Sequence, residues 1–365
     1  MGGEEGTSAQ VFYKPQSVYA CELLAAVPRL GSMQGGTQPL KAGEIGQGVC
    51  HSALQAHAAD TPILDVRNLT TRFPIDKRFL GRSGRIVSAV ENVSFSLGRG
   101  ETLALVGESG CGKSTTGRSI IRLVEPTSGS VRFQGEDVLA ARGSDLRRLR
   151  RDIQMIFQDP YASLNPRKLV GSAIAEPMLV HGTLKRDAAN GQVAELLRRV
   201  GLDPSAADRF PHEFSGGQRQ RICIARALSL NPKLVIADEA VSALDVSIKA
   251  QIIDLMIDLQ RERGLSYLFI SHDIAVVERI SHRVAVMYLG EIVEIGPRDA
   301  VINTPQHPYT RRLMAAVPVP DPRSQGRLIA LSSDEIPSAV REEGYEPPPT
   351  SLAEIGPGHF VRVPA

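Results

Sequence analysis

A chain of 365 residues with 42% hydrophobic composition holds enough apolar material for one large or two ordinary cores, which excludes a disordered or fibrous protein. Lys plus Arg at 42 against Asp plus Glu at 40 leaves a formal charge of +2, without the basic excess that a nucleic-acid binder usually carries over the whole chain. The 4 cysteines are scattered without metal-ligand or disulfide spacing. The N-terminus MGGEEGTSAQ has no apolar signal core, and no apolar run is long enough to cross a membrane.

In chain order, the first feature is a repeat. Residues 15–28 read PQSVYACELLAAVP and residues 305–318 read PQHPYTRRLMAAVP, at a fixed offset of 290 residues. Val11, Pro15, Gln16, Tyr19, Leu23 and the run Ala25–Pro28 recur as Val301, Pro305, Gln306, Tyr309, Leu313 and Ala315–Pro318. Residues 31–61 are rich in Gly and Gln without helical or strand periodicity, the composition of a flexible linker. From ILDVRNLT at 63 to about residue 300, short strand-like runs alternate with amphipathic helix-like runs, the pattern of an α/β domain. Beyond 318 the chain turns Pro- and Gly-rich, and little regular structure is expected there.

Within the α/β domain, TLALVG at 102–107 reads as a buried strand feeding the Gly-rich GESGCGKST, with a helix expected from Lys113. KLVIADEA at 233–240 is a second such strand ending in two carboxylates, and LSYLFISHD at 265–273 a third ending in a histidine. Polar groups thus gather at the carboxyl ends of strands, where open α/β sheets bind ligands.

Gly107, Gly112, Lys113 and Ser114 satisfy G-x-x-x-x-G-K-[ST], a phosphate loop whose backbone N–H groups face phosphate oxygens at a helix N-terminus. Ser109, Gly110, Cys111 and Thr115 complete that loop, with Cys111 read as a small filler rather than a reactive thiol. Lys113 is expected on the outer phosphates and the Ser114 hydroxyl on Mg²⁺. Asp238 is the expected second Mg²⁺ anchor, and Glu239 the group that polarises the attacking water. Taken alone, His272 reads more readily as a cap near a helix start.

FSGGQRQR at 214–221, lying between these motifs, resembles the signature of the ATP-binding cassette ATPases. IFQDP carrying Gln158, SALD carrying Asp245 and ISHD carrying His272 occur in the order that family uses, and the resemblance runs over residues 62–300. It implies an α/β P-loop NTPase: a cassette with a RecA-like core, a helical signature subdomain at about 160–228 and an antiparallel β subdomain. It further implies that ATP lies between the phosphate loop of one cassette and Ser215, Gly216, Gly217, Gln218 and Asp245 of another, so two cassettes are obligatory. In the family's terms Gln158 senses Mg²⁺ and links to the membrane partner, and His272 contacts the γ-phosphate. Phe73 resembles the aromatic that stacks on adenine, although a Phe beside a strand is also commonly core. Ala240 stands where the family often has proline, and Phe214 where leucine is frequent.

FQDPYASLNPR, the insertion PIDKRFLGRSGRIVSAV and HPYTRRLMAAVP narrow the resemblance to the oligopeptide, dipeptide, nickel and glutathione import group. That implies a peripheral ATPase on the cytoplasmic face of the inner membrane. Its partners would be two permease subunits and, indirectly, an extracytoplasmic solute-binding protein, with no nucleic acid. The tail lacks the cysteine-rich segment of many members, so no iron–sulfur cluster is expected. The repeat then marks residues 1–30 as a remnant of a preceding cassette's tail, either decayed or continuing a longer coding sequence, with 301–365 as this cassette's own tail. A soluble cassette ATPase of nucleic acid or ribosome would bring a long coiled coil, zinc-binding cysteines or a second cassette in the chain; none of these is read here. A regulator that no longer hydrolyses ATP is opposed by the intact Lys113, Asp238, Glu239 and His272.

Overall fold

The structure, a computed structural model, describes residues 4–26, 31, 33, 38–45, 61–75, 84–242, 244–317, 338–342, 344–345, 347 and 350–364. Two short helices come first, α1 (Ser8–Tyr13) and α2 (Val18–Ala26). The long strands β1 (Leu64–Pro74) and β2 (Arg85–Leu97) follow, then β3 (Thr102–Val106), α3 (Lys113–Ile120), β4 (Ser128–Phe133), β5 (Glu136–Asp137), α4 (Gly143–Asp152) and β6 (Ile153–Ile156). A run of helices comes next: α5 (Pro160–Ser163), α6 (Val170–Val180), α7 (Arg186–Arg199) and α8 (Gly216–Leu228). Alternation resumes with β7 (Leu234–Asp238), α9 (Val246–Arg263), β8 (Ser266–Ile270), α10 (Ile274–Ile280), β9 (Arg283–Tyr288) and β10 (Glu291–Pro297). The C-terminal elements are α11 (Arg298–Asn303), α12 (Pro308–Ala315), β11 (Val340–Glu342), β12 (Thr350–Gly356) and β13 (His359–Pro364).

Among the described residues the strands form two sheets. The antiparallel sheet has the order β11-β2-β1-β4-β5, and the larger one runs β12-β13-β10-β9-β3-β8-β7-β6. In the larger sheet β9, β3, β8, β7 and β6 are parallel, while β10, β13 and β12 extend it antiparallel.

The central strands are apolar throughout because both of their faces are covered. Side chains alternate across a strand, and here alternate residues supply two cores. Ala104, Val106, Val235, Ala237, Tyr267 and Phe269 pack with the helical run α6–α8 and with α9. Leu103, Leu105, Leu234, Ile236, Leu268 and Ile270 pack instead with β1, β2 and β4. Those two faces are the physical basis of the expected three-part architecture.

Two expectations need correction. The C-terminal region is not irregular among its described residues: β13 pairs with β10 (Glu294 opposite Val361), β12 pairs with β13, and β11 pairs with β2. HFVRVP and TSLAEIG are short segments flanked by Pro and Gly, and they become strands by adding to an existing sheet edge. Nor is all of 31–61 a free linker. Leu40 N–H donates to Arg279 O, Ala42 N–H to Asp254, Arg261 makes a two-bond pair with Glu44, and the buried Glu278 accepts from Gly31 N–H and Met33 N–H. The described part of that stretch is strapped across α9 and α10; its residues 46–60 lie outside the described residues, as do 76–83 of the insertion and 318–337 of the tail.

Candidate functional site

The site forms where β3, β7 and β8 end side by side. β3 passes into α3 through residues 107–112, and Lys113 begins the helix behind Gly112, which has φ +104°. A Cβ on Gly112 would run into the Ala89 carbonyl oxygen, and one on Gly107 into that of Met287, so both positions exclude a side chain. Lys113 is buried, its Nζ donating to Gly107 O at 2.9 Å and Glu108 O at 2.8 Å. Burial pushes the Cys111 thiol up despite the neighbouring Lys113, which suits the filler role.

The Ser114 hydroxyl donates to Asp238 Oδ1 at 2.6 Å. Asp238 is fully buried, and burial raises its pKa. Its Oδ2 accepts no hydrogen bond, and the Arg118 guanidinium stands 3.7 Å away. A buried carboxylate oxygen without a donor, beside a serine oxygen, is a donor set that suits a hard divalent cation such as Mg²⁺. Gln158, the third expected metal residue, lies across from them just beyond β6, with its amide on Glu239.

Glu239 follows β7 with φ +47°, which turns it away from its neighbour Asp238. Gln158 Nε2 donates to Glu239 Oε2 at 2.8 Å, and His272 Nδ1 stands 3.2 Å from Oε1. His272 does not cap α10; Asp273 does, accepting from Val276 N–H, which leaves the half-exposed imidazole to face Glu239. Ser114 and Asp238 are thus in direct contact, with Arg118 beside Asp238, and Gln158 and His272 are in direct contact with the adjoining Glu239, while Lys113 holds to the loop's own carbonyls. That arginine escaped sequence reading, although it lies four residues beyond Ser114 and hence on the same helix face.

Phe73 lies near the end of β1, opposite Val87 of β2 and 40% exposed, so it is not a core residue. Val87 is two residues from Ala89, which faces Gly112, placing Phe73 about 7 Å along the sheet from the loop's edge.

Ser215, Gly216, Gly217 and Gln218 form the start of α8 in a reciprocal cap: Gln218 N–H donates to Ser215 Oγ and Ser215 N–H to Gln218 Oε1. A Cβ on Gly217 would meet Ile248 of α9, so this helix start packs beside the start of α9, where Asp245 is the N-cap. Ser215, Gln218 and Asp245 face solvent as a second group, with one set of backbone N–H groups at a 13-residue helix's N-terminus.

A groove of about 560 Å³, beginning three residues after Gln158 in the chain, is lined by Tyr161, Leu164, Asn165, Lys168, Glu176 and Arg226 among others. Arg219 of α8 stacks on the Tyr161 ring at 3.9 Å, linking groove and α8.

Comparison with known proteins gives the following. A family model described as ABC transporter matches residues 90–242, and one described as Oligopeptide/dipeptide transporter, C-terminal region, matches residues 293–342. The glutathione import ATP-binding protein GsiA of Pectobacterium atrosepticum is 59% identical over 365 residues, covering 98% of this chain and 58% of that protein. Its Escherichia coli counterpart is 58% identical over 368 residues, covering 99% of this chain and 59% of that protein. The chain therefore spans about three fifths of the length of these curated relatives. Among solved structures, the dimeric post-hydrolysis state of the ATP-binding cassette MJ0796 bound to ADP and Pi matches with a TM-score of 0.58 and 28% identity over 64% of this chain and 98% of that one. CbiO1 from Clostridium perfringens, part of the ABC transporter complex cbiONQ, matches with a TM-score of 0.56 and 27% identity over 67% of this chain and 92% of that one.

Proposed function

The chain belongs to the ATP-binding cassette transporter ATPases and carries an oligopeptide/dipeptide-type C-terminal region, and from that premise we propose that it hydrolyses ATP to drive import of glutathione or another short peptide. The observation that carries the reading is the bracketing of Glu239 by Gln158 and His272 beside the Ser114–Asp238 pair.

In this reading residues 107–115 wrap the phosphates, and Lys113 exchanges its two carbonyl partners for phosphate oxygens. Ser114 and Asp238, with Gln158 beyond β6, would hold Mg²⁺, which would supply charge neutralisation to the phosphates. Glu239 orients and polarises the attacking water, for which its backbone turn out of the strand suits it. Gln158 and His272 fix its carboxylate, and the half-exposed His272 would turn from it toward a terminal phosphate. Phe73 offers an exposed π-face to the base.

A second cassette, either another copy or a separate chain, would bring its Ser215–Gln218 and Asp245 against this phosphate loop. The dimeric MJ0796 cassette supports this arrangement. The groove at Tyr161 is the docking place for a permease segment, because Arg226 of α8 lines it, Arg219 of α8 stacks on Tyr161, and its wall follows Gln158 by three residues in the chain. A solute-binding protein outside the membrane would deliver the peptide to two such permeases, and the ATPase would sit on the inner face. Residues 1–30 resemble the closing segment of a preceding cassette, and the fall of α2 on α12 at the offset of 290 residues supports that reading.

The test is uptake of labelled glutathione and of a labelled dipeptide by cells expressing this chain with a peptide-type permease pair and its solute-binding protein. Uptake lost on Glu239→Gln supports the reading; equal uptake by wild type and variant would refute it.

A further inference from the structure

The phosphate loop is contacted by a residue far away in sequence. Tyr309, in the first turn of α12, accepts a hydrogen bond from the Glu108 N–H at 3.0 Å through its hydroxyl. That N–H belongs to the peptide group whose carbonyl is Gly107 O, and Gly107 O accepts from Lys113 Nζ at 2.9 Å. One peptide is therefore held at both ends, by Lys113 on its oxygen and by Tyr309 on its nitrogen. Gly107, with φ +150° and no side chain, would otherwise leave this peptide free to flip.

Tyr309 is itself rigidly placed. Its ring is buried and lies 4.2 Å, centroid to centroid, from Tyr288 at the end of β9. The turn before α12 is tied down by Glu294, a fully buried carboxylate on β10: Gln306 N–H and His307 N–H each donate to it at 2.9 Å. His359 of β13 closes the same cluster, Nε2 to Glu294 Oε1 at 2.8 Å. The C-terminal region is thereby connected by short contacts to the loop that would take the phosphates.

We propose that Tyr309 is a positioning residue that holds the Gly107–Glu108 peptide in its phosphate-binding orientation, so that the C-terminal region sets nucleotide affinity. The inference rests on reading residues 107–115 as the nucleotide site. When Lys113 leaves Gly107 O for a phosphate, the Tyr309 hydroxyl is the restraint that remains. Loss of one such neutral hydrogen bond corresponds to about a five- to tenfold effect on an equilibrium.

The experiment compares wild type, Tyr309→Phe and Lys113→Ala by titration with a fluorescent ATP analogue, by steady-state kinetics, and by amide hydrogen exchange across the loop. Tyr309→Phe keeps the ring against Tyr288. It is expected to raise Kd and KM about five- to tenfold, with a smaller fall in kcat, and to speed exchange at Glu108. In the wild type the Glu108 amide is expected to exchange about tenfold more slowly than those of Ser109 and Gly110, a measurement that needs no variant. A Kd within about twofold of wild type, or a Glu108 amide that exchanges as fast as its neighbours, would overturn the proposal. If the wild type binds nucleotide and Lys113→Ala does not, a wild-type-like Tyr309→Phe sinks this inference alone. If the wild type binds none, the nucleotide reading fails and this one falls with it.

Discussion

Gln158, at the end of β6, donates its side-chain amide to the carboxylate of Glu239, at the end of β7, 2.8 Å away. Two adjacent parallel strands thus deliver the two ends of one hydrogen bond. The second oxygen of the same carboxylate faces His272, so Glu239 is aimed by groups from two other segments. Replacing Glu239 by Gln should lower ATP turnover by roughly 10²–10⁴ while leaving nucleotide bound. Replacing Gln158 by Ala should lower it less, by roughly ten- to a hundredfold, the worth of a hydrogen bond to a charged group. Single-turnover hydrolysis alongside equilibrium binding measures both; equal losses for the two variants would contradict the assigned division of labour.

Gly112→Ala should cost about 2–4 kcal/mol of stability, because the backbone is left-handed and the Ala89 carbonyl occupies the new methyl's space. Urea unfolding of the two proteins gives the difference. A variant as stable as wild type would mean that β2 and the loop can move apart.

His282 should make the protein acid-sensitive. Its Nδ1 accepts from Thr102 N–H at 3.0 Å, so the ring is neutral with its proton on Nε2, facing Gln38. Burial pushes its pKa down from 6.5 to about 4, with the Arg298 charge acting in the same direction. Between those values the unfolded chain binds a proton that the folded one refuses, so stability falls as pH drops. The contribution is complete above 6.5 and lost as pH approaches 4, about 3 kcal/mol in all. Urea midpoints between pH 7 and 4 for wild type and His282→Gln test it. The variant's slope should be shallower, and identical slopes would remove His282 from the account.

Glu294→Ala should be among the most damaging single changes outside the site, costing about 3–5 kcal/mol. It strands the donors of Gln306, His307 and His359 in a buried place. Thermal unfolding should show it, and a small shift would mean that water or another group replaces the carboxylate.

Much of this arrangement is legible in the chain. TLALV, LVIAD and SYLFI form strands where the apolar runs lie, since each is bounded by glycine or by polar residues that end the sheet. Residues 107–114 are legible because glycines spaced that way permit few other geometries. Tyr309 was not: 201 residues separate it from Glu108, and nothing local in HPYT says what its hydroxyl meets. β13 was missed for a related reason, since its pairing partner β10 and its His359–Glu294 contact exist only once the sheet has formed. The role of Asp273 as helix cap, in place of its neighbour His272, is a difference of one residue that spacing alone does not resolve.

The alternation of β7 between two cores bears on how such a chain can change length. Leu234 and Ile236 point to one side, Val235 and Ala237 to the other. One residue inserted among them would exchange the two sets and carry Asp238 away from Ser114 in the same stroke. Insertions and deletions are thus confined to the connections between elements, and β7 can vary only by substitution.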